Sequence, residues 1–221
     1  MLTLHNISKS FGKHKVLNNI SFSINEGDKI AFLGANGAGK STLIKIILGE
    51  MKMDSGKIES ALDFKTQVGA MPQEDILISD LKTSELIELK SKMNNLKNLS
   101  VDASLKKVSL EQQQNKFVHS LSGGQKRRLS LLLSFLNNPS LLILDEPTTG
   151  MDLASVDKFW DIMNGSKFST LIVTHDFNQI DKFFNRVIIL KEGTVLEDIT
   201  VKDIHNQGSN IETYYREKIK E

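Results

Sequence analysis

The chain has 221 residues, enough to bury a core in one domain or in one domain with a small lobe. Lys and Arg number 28 against 27 Asp and Glu, so there is no global basic field of the kind non-specific nucleic-acid binding needs, and the absence of Cys excludes disulfides, thiolate metal sites and thiol catalysis. No uninterrupted apolar stretch approaches the ~20 residues of a membrane helix and Met1 to Ser10 is too polar for a signal peptide, which predicts a soluble, cytoplasmic chain.

Leu2 and Leu4, then Ile20, Phe22 and Ile24, alternate with polar residues, which predicts two half-buried antiparallel strands joined around Gly12-Lys13-His14. The apolar run Ile30 to Leu33 then leads into Gly34-Ala35-Asn36-Gly37-Ala38-Gly39-Lys40-Ser41-Thr42, followed by the helical run Leu43 to Leu48 and a closing Gly49. Strand, glycine-rich turn and helix in this order make a phosphate cradle. The glycines turn backbone N–H groups inward, and the helix N-terminus adds its partial charge toward the α- and β-phosphates. Lys40 reaches the β- and γ-phosphates and the Ser41 hydroxyl ligates Mg²⁺. A glycine-rich hairpin or helix cap is the plainer alternative, and the flanking strand and helix speak against it. The opening sheet brings Phe11 and Val16 near this loop, where Phe11 either stacks on adenine or packs a turn.

Asp54-Ser55-Gly56 reads as a turn, with a polar strand region to Val68. Pro72 in Met71-Pro72-Gln73-Glu74 breaks regular structure where the chain passes between lobes, and Gln73 is either a surface residue or a neutral amide that contacts Mg²⁺ or water. From Leu81 to Leu110 the period is helical, with Leu86, Leu89, Met93 and Leu96 on one face and Val101, Leu105 and Val108 on another. Leu121-Ser122-Gly123-Gly124-Gln125 opens a helix carrying Leu129, Leu132, Leu133 and Leu136 at helical spacing. Its two glycines leave N–H donors open for a phosphate; a helix merely capped by Ser122 is the alternative.

Leu141 to Leu144 reads as a buried parallel strand ending in Asp145-Glu146, at the carboxyl end where α/β sheets bind ligands. Neighbouring residues on a strand point to opposite sides, so the two acids can do two jobs: Asp145 in the Mg²⁺ shell, Glu146 orienting or deprotonating an attacking water. Asp152 is at least an N-cap for a helix whose Leu153, Val156, Trp160 and Met163 line one face. Leu171 to Val173 is another buried strand, ending at Thr174-His175-Asp176, where His175 either donates to the γ-phosphate or is structural. Val187 to Leu190, a turn at Glu192-Gly193 and Thr194 to Glu197 close the sheet, and Ile211, Tyr215 and Ile219 predict a docked terminal helix.

Gly34 to Thr42, Leu121 to Gln125 and Leu141 to Glu146, in this register, resemble the ATP-binding cassette of ABC transporters, and the likeness covers nearly all of the chain. The resemblance implies an α/β fold: a P-loop NTPase core of mixed sheet flanked by helices, an N-terminal antiparallel β subdomain and a small inserted helical subdomain. It implies one domain over 1–221, with 1–72 and 137–221 forming the RecA-like core and β subdomain, and 73–136 the helical subdomain with the signature motif. By the same resemblance Phe11 is the adenine-stacking aromatic, with Val16 beside it, and Asn36, Gly37, Ala38, Gly39, Lys40, Ser41 and Thr42 line the Walker A loop. Gln73 matches the Q-loop glutamine that touches Mg²⁺ and faces the membrane partner. Ser122, Gly123, Gly124 and Gln125 match the signature that closes over the γ-phosphate of the opposite subunit. Asp145 matches the Walker B aspartate, Glu146 the catalytic glutamate, Asp152 the D-loop aspartate and His175 the switch histidine. The metal shell implied is Ser41, Gln73 and Asp145.

Three departures stand out. Phe11 replaces a common Tyr, and Ala35 a frequent Pro. Gly150-Met151-Asp152 replaces Ala-Leu-Asp and, like Met71-Pro72-Gln73-Glu74, is similar to the exporter branch. The function implied is ATP hydrolysis that powers transport through an integral membrane permease on a separate chain. The cassette pairs with a second one, as homodimer or heterodimer, with two composite ATP sites, peripheral on the cytoplasmic side of the membrane and with no nucleic-acid partner. A soluble ABC ATPase serving a cytoplasmic assembly complex, such as an iron–sulfur scaffold, is the alternative. The segment between Lys40 and Leu121 is too short for the coiled coil of a chromosome-maintenance ATPase, and a ribosome-acting member would usually carry two Walker A loops, where one occurs here.

Overall fold

The computed structural model describes residues 1–175 and 177–220, without the side chains of 178–180. Contacts divide the chain into two compact units, Met1–Phe64 with Ser169–Glu221, and Lys65–Phe168.

The first unit opens with β1 (Leu2–Phe11) and β2 (His14–Ile24), paired antiparallel with Leu2 opposite Ile24 and Phe11 opposite His14, as the alternation predicts. β3 (Lys29–Gly34) runs into α1 (Lys40–Ile47), which buries Leu43, Ile44, Ile46 and Ile47. β4 (Ser55–Ser60) pairs antiparallel with the other edge of β1. Ser55 and Gly56 therefore belong to a strand and not to the expected turn. A Cβ on Gly56 would stand 2.6 Å from the carbonyl oxygens of His5 and Asn6, so glycine marks a close strand approach here.

The second unit follows. β5 (Val68–Met71) lies parallel to β6 (Leu141–Asp145), with Val68 opposite Leu141 and Met71 opposite Leu144. The polar strand region expected to Val68 stops where β5 begins; four residues containing Gly69 carry too little periodicity to announce a strand. A Cβ on Gly69 would collide with the Ser134 carbonyl oxygen. The helices are α2 (Thr83–Met93), α3 (Val101–Lys107), α4 (Gly123–Phe135) and, beyond β6, α5 (Leu153–Asn164). α2, α3 and α4 fall within the segment assigned above to a 73–136 lobe.

Three expected faces differ. On α2 the buried set is Thr83, Leu86, Ile87 and Ser91, while Leu89 and Met93 are exposed, Met93 at 69%. On α4 Leu131 and Phe135 join Leu129 and Leu132 in the core, and Leu133 and Leu136 are only half-buried, because this helix is covered on more than one side. On α5 Phe159, Trp160 and Met163 are buried, but Leu153 is 84% exposed at the first turn, where the stripe has run past the core.

The chain then completes the first unit with β7 (Ser169–Val173), α6 (Phe177–Phe183), β8 (Arg186–Lys191) and β9 (Thr194–Thr200). β3 lies between parallel neighbours β7 and β8, and β9 is antiparallel to β8. Ile30 to Leu33, Leu171 to Val173 and Val187 to Leu190 are fully buried, as continuous apolar runs require when both sheet faces are covered. Arg186 grips Asp198 with two bonds of 2.7 and 2.6 Å and also donates to Asp28 (2.7 Å) and the Ser23 carbonyl (2.9 Å), tying β8 to its neighbours. The expected single terminal helix is two: α7 (Val201–Asn206), capped by Thr200, and α8 (Ile211–Lys220), separated at Gly208 with φ +76°. Tyr214 and Tyr215 are buried, and the Tyr215 ring lies 5.4 Å from that of Phe177.

Candidate nucleotide site

The phosphate-loop residues lie in the first unit. α1 starts at Lys40 behind Gly39, a left-handed residue (φ 104°) with no side chain to cap the helix, so the orphan N–H groups of the first turn are left for a ligand. The loop lies close against its neighbours. A Cβ on Gly34 would come within 2.5 Å of the Leu190 carbonyl oxygen, and one on Gly39 within 2.7 Å of Leu17 Cδ2 and 2.9 Å of the Val16 carbonyl oxygen. Asn36 and Gly37 are exposed, Ala38 is buried, Ser41 is exposed and Thr42 half-buried. Lys40 is buried, and its Nζ donates to the carbonyls of Gly34 (2.6 Å) and Ala35 (2.9 Å), which curls the loop around the ammonium.

Phe11 ends β1 half-exposed (50%), with the Lys9 ammonium 5.6 Å from its ring centre. Lys9 also bonds Asp54 at 2.8 Å; that bond and the Ser10 N–H hold the Asp54 carboxyl below its ordinary value. Val16 is half-buried, its backbone against Gly39 as above. His175 is exposed just beyond β7, and Asp176, next to it in the strand-end motif, lies outside the described residues.

The remaining candidates lie in the second unit. β6 delivers Asp145 into a buried position and Glu146 into a half-buried one. Glu146 has φ +47°, a left-handed backbone that non-glycine residues seldom adopt. Its Oε2 accepts from Gln73 Nε2 (3.4 Å) and from Thr149 Oγ1 (3.2 Å), so Gln73 and Glu146 are brought together. Ser122 and Gln125 form a reciprocal capping box on α4: the Gln125 N–H donates to Ser122 Oγ (3.3 Å) and the Ser122 N–H to Gln125 Oε1 (3.0 Å). A Cβ on Gly123 would meet nothing within 4 Å, whereas one on Gly124 would approach Ser155 Oγ to 2.9 Å. Ser155 is held by Asp152, the N-cap of α5, through a 2.8 Å bond from its N–H that lowers the Asp152 carboxyl below its ordinary value. The capping readings of Ser122 and Asp152 are thus realised.

Two residues escaped the sequence reading. Thr149 had only its position three residues after Glu146 to signal it. Arg127, 4% exposed on α4, was signalled only by a charge at the head of a buried row shared with Leu131 and Ser134.

The family model described as ABC transporter matches residues 17–149, from β2 through the phosphate loop and the signature to Thr149. The chain belongs to the ABC transporter family. It is 36% identical over 196 residues to the zinc import ATP-binding protein of Buchnera aphidicola subsp. Schizaphis graminum, covering 87% of this chain and 81% of that one. A solved ATP-binding subunit of an ABC transporter superposes with a TM-score of 0.91 at 26% identity, over 99% of each chain. A dimeric ATP-binding cassette in a post-hydrolysis state, bound to ADP and Pi, gives a TM-score of 0.80 at 27% identity over 90% of this chain and 98% of that one. This ABC protein is therefore an ATP-binding, ATP-hydrolysing transporter subunit on an α/β P-loop scaffold. Among the described residues no helix is long and apolar enough to cross a membrane.

Proposed function

We propose that this ABC subunit works as one of a pair of cassettes, each ATP held by the Walker A loop of one and the signature of the other, peripheral on the cytoplasmic side of the membrane against a permease on separate chains. The observation that carries this reading is the start of α4. Ser122 and Gly123 are exposed and space is open around Gly123, which supports the reading because this helix end is left accessible to a phosphate.

Within that arrangement the nucleotide's phosphates replace the Gly34 and Ala35 carbonyls as acceptors for Lys40 and take the N–H groups from Asn36 to Thr42. Phe11 offers its exposed ring to adenine beside Val16. Among the described residues no three His, Asp or Glu side chains form a metal cage. The oxygen donors in question are the Ser41 hydroxyl, the Gln73 amide and the Asp145 carboxylate, a set that suits Mg²⁺, which takes one or two protein carboxylates and completes its shell with phosphate and water. The ion, when bound, neutralises charge developing on the phosphates. Glu146 accepts the proton of the attacking water as that oxygen bonds to the γ-phosphorus and the bond to the β–γ bridging oxygen breaks, giving ADP and phosphate. Gln73 and Thr149 fix the Glu146 carboxylate, and His175 donates to a γ-phosphate oxygen.

Glu146→Gln tests the assignment. It should retain ATP binding, accumulate an ATP-dependent dimer visible by size-exclusion chromatography, and lose on the order of 10²–10⁴ of the turnover rate, the worth of a general base. Turnover at the wild-type rate would sink the assignment.

A further inference from the structure

Arg127 has five N–H donors, and all of them are used. Nε donates to the Pro147 carbonyl (2.9 Å), Nη1 to the Pro72 carbonyl (2.9 Å) and Asp75 Oδ1 (3.0 Å), and Nη2 to the carbonyls of Asp145 (3.1 Å) and Glu146 (2.7 Å). One buried guanidinium therefore joins three segments of the second unit: the first turns of α4, the loop after β5 that carries Gln73, and the turn after β6 that carries Glu146.

Three consecutive carbonyls, those of Asp145, Glu146 and Pro147, converge on the same cation. An extended chain alternates its carbonyls, so this convergence requires the chain to turn sharply, and the left-handed φ of Glu146 supplies the turn. The guanidinium holds that unfavourable backbone conformation in place, and with it the direction in which the Glu146 side chain leaves the main chain. Gln73, which donates to the Glu146 carboxylate, follows directly after Pro72, whose carbonyl the same guanidinium holds.

We propose that Arg127 is a positioning residue for ATP hydrolysis, clamping the Gln73 loop and the Glu146 turn onto the start of the signature helix so that the Glu146 carboxylate is aligned on the attacking water. The inference rests on Glu146 being the base. None of Arg127's partners belongs to the phosphate loop, Phe11 or Val16, and at Asp145 and Pro72 it holds main-chain carbonyls, not the side chains proposed for Mg²⁺, so loss of the clamp falls chiefly on kcat. Lysine cannot replace it fully: three donors on one nitrogen cannot span a planar fork of five.

The test uses the full chain and the variants Arg127→Met, Arg127→Lys and Glu146→Gln. ATP hydrolysis gives kcat and KM, and calorimetry gives the affinity and stoichiometry of ATP binding. Misalignment by about an ångström costs on the order of 10² in rate. Arg127→Met is expected to lose about that factor in kcat, with KM, affinity and stoichiometry at wild-type values; Arg127→Lys should recover part of the loss. A merely structural role would lower the number of ATP sites in step with kcat, and that result overturns the proposal, as does wild-type kcat in Arg127→Met. Should Arg127→Met yield no folded protein, Arg127→Lys decides by the same criteria: reduced kcat at full stoichiometry supports the clamp, and wild-type kcat overturns it. Wild-type turnover in Glu146→Gln instead defeats the reading of the site itself, whereas an inactive Glu146→Gln beside a fully active Arg127→Met defeats the clamp alone.

Discussion

Gly193 turns β8 into β9 with φ +73°, and a Cβ there would collide with the Val16 carbonyl oxygen and approach its carbon to 2.9 Å and Leu17 Cα to 3.3 Å. Gly208 has nearly the same backbone angle, φ +76°, with nothing within 4 Å of its Cβ position. Alanine at either site pays the left-handed penalty of about 1–2 kcal/mol. Only Gly193→Ala must also displace the backbone of β2, an overpacking cost of about 1–3 kcal/mol. The expected losses are about 2–5 kcal/mol for Gly193→Ala and about 1–2 kcal/mol for Gly208→Ala, with the thermal midpoint falling roughly 2–4 °C per kcal/mol in a chain of this size. The consequence reaches the nucleotide. The Asn18 N–H donates to the Gly193 carbonyl at 2.7 Å, and Val16 and Leu17 are the same residues that back Gly39 in the phosphate loop. Shifting them should weaken ATP binding in Gly193→Ala and leave it unchanged in Gly208→Ala. Urea unfolding and ATP calorimetry on the pair measure both effects. Equal stability losses, or wild-type ATP affinity in Gly193→Ala, would refute the contact between hairpin and loop as the cause.

Two further perturbations separate phosphate binding from capping. Lys40→Ala removes charge-assisted bonds worth about 1.5–3 kcal/mol, so ATP affinity by calorimetry should fall roughly 10- to 100-fold, and unchanged affinity would contradict the phosphate role of Lys40. For Asp152, the Ser155 N–H and then its hydroxyl hold the carboxyl below its ordinary value, so the ionised form caps α5 in the folded state. Its stabilising effect is complete above the unfolded value of about 3.9 and disappears as pH falls through the lower folded value. The gap in urea midpoint between wild type and Asp152→Ala should therefore be constant from about pH 7 to 5 and close in acid, whereas a gap that widens in acid would show that the ionised cap is not its source.

What was legible in the sequence is what a side chain does alone or what a glycine permits. Gly34 to Thr42, Leu121 to Gln125 and Asp145-Glu146 pointed to the family, which the match over residues 17–149 bears out, because each places particular residue types at short spacing. The strands before them could be read because burial on both faces leaves a continuous apolar run, as at Ile30 to Leu33. The buried face of α2 and the exposure of Leu153 were not legible, since a helix's period says which residues share a stripe and not how far the core extends along it. Arg127 was hidden for a deeper reason. Four of its five partners are main-chain carbonyls, belonging to residues up to 55 positions away, and a carbonyl oxygen is common to every residue type. Residues that touch the nucleotide leave a signature in residue identity, whereas the groups that aim them can be ones every residue possesses. The alignment of Glu146 thus becomes visible only once the backbone turn at φ +47° and the guanidinium that fills it are seen together.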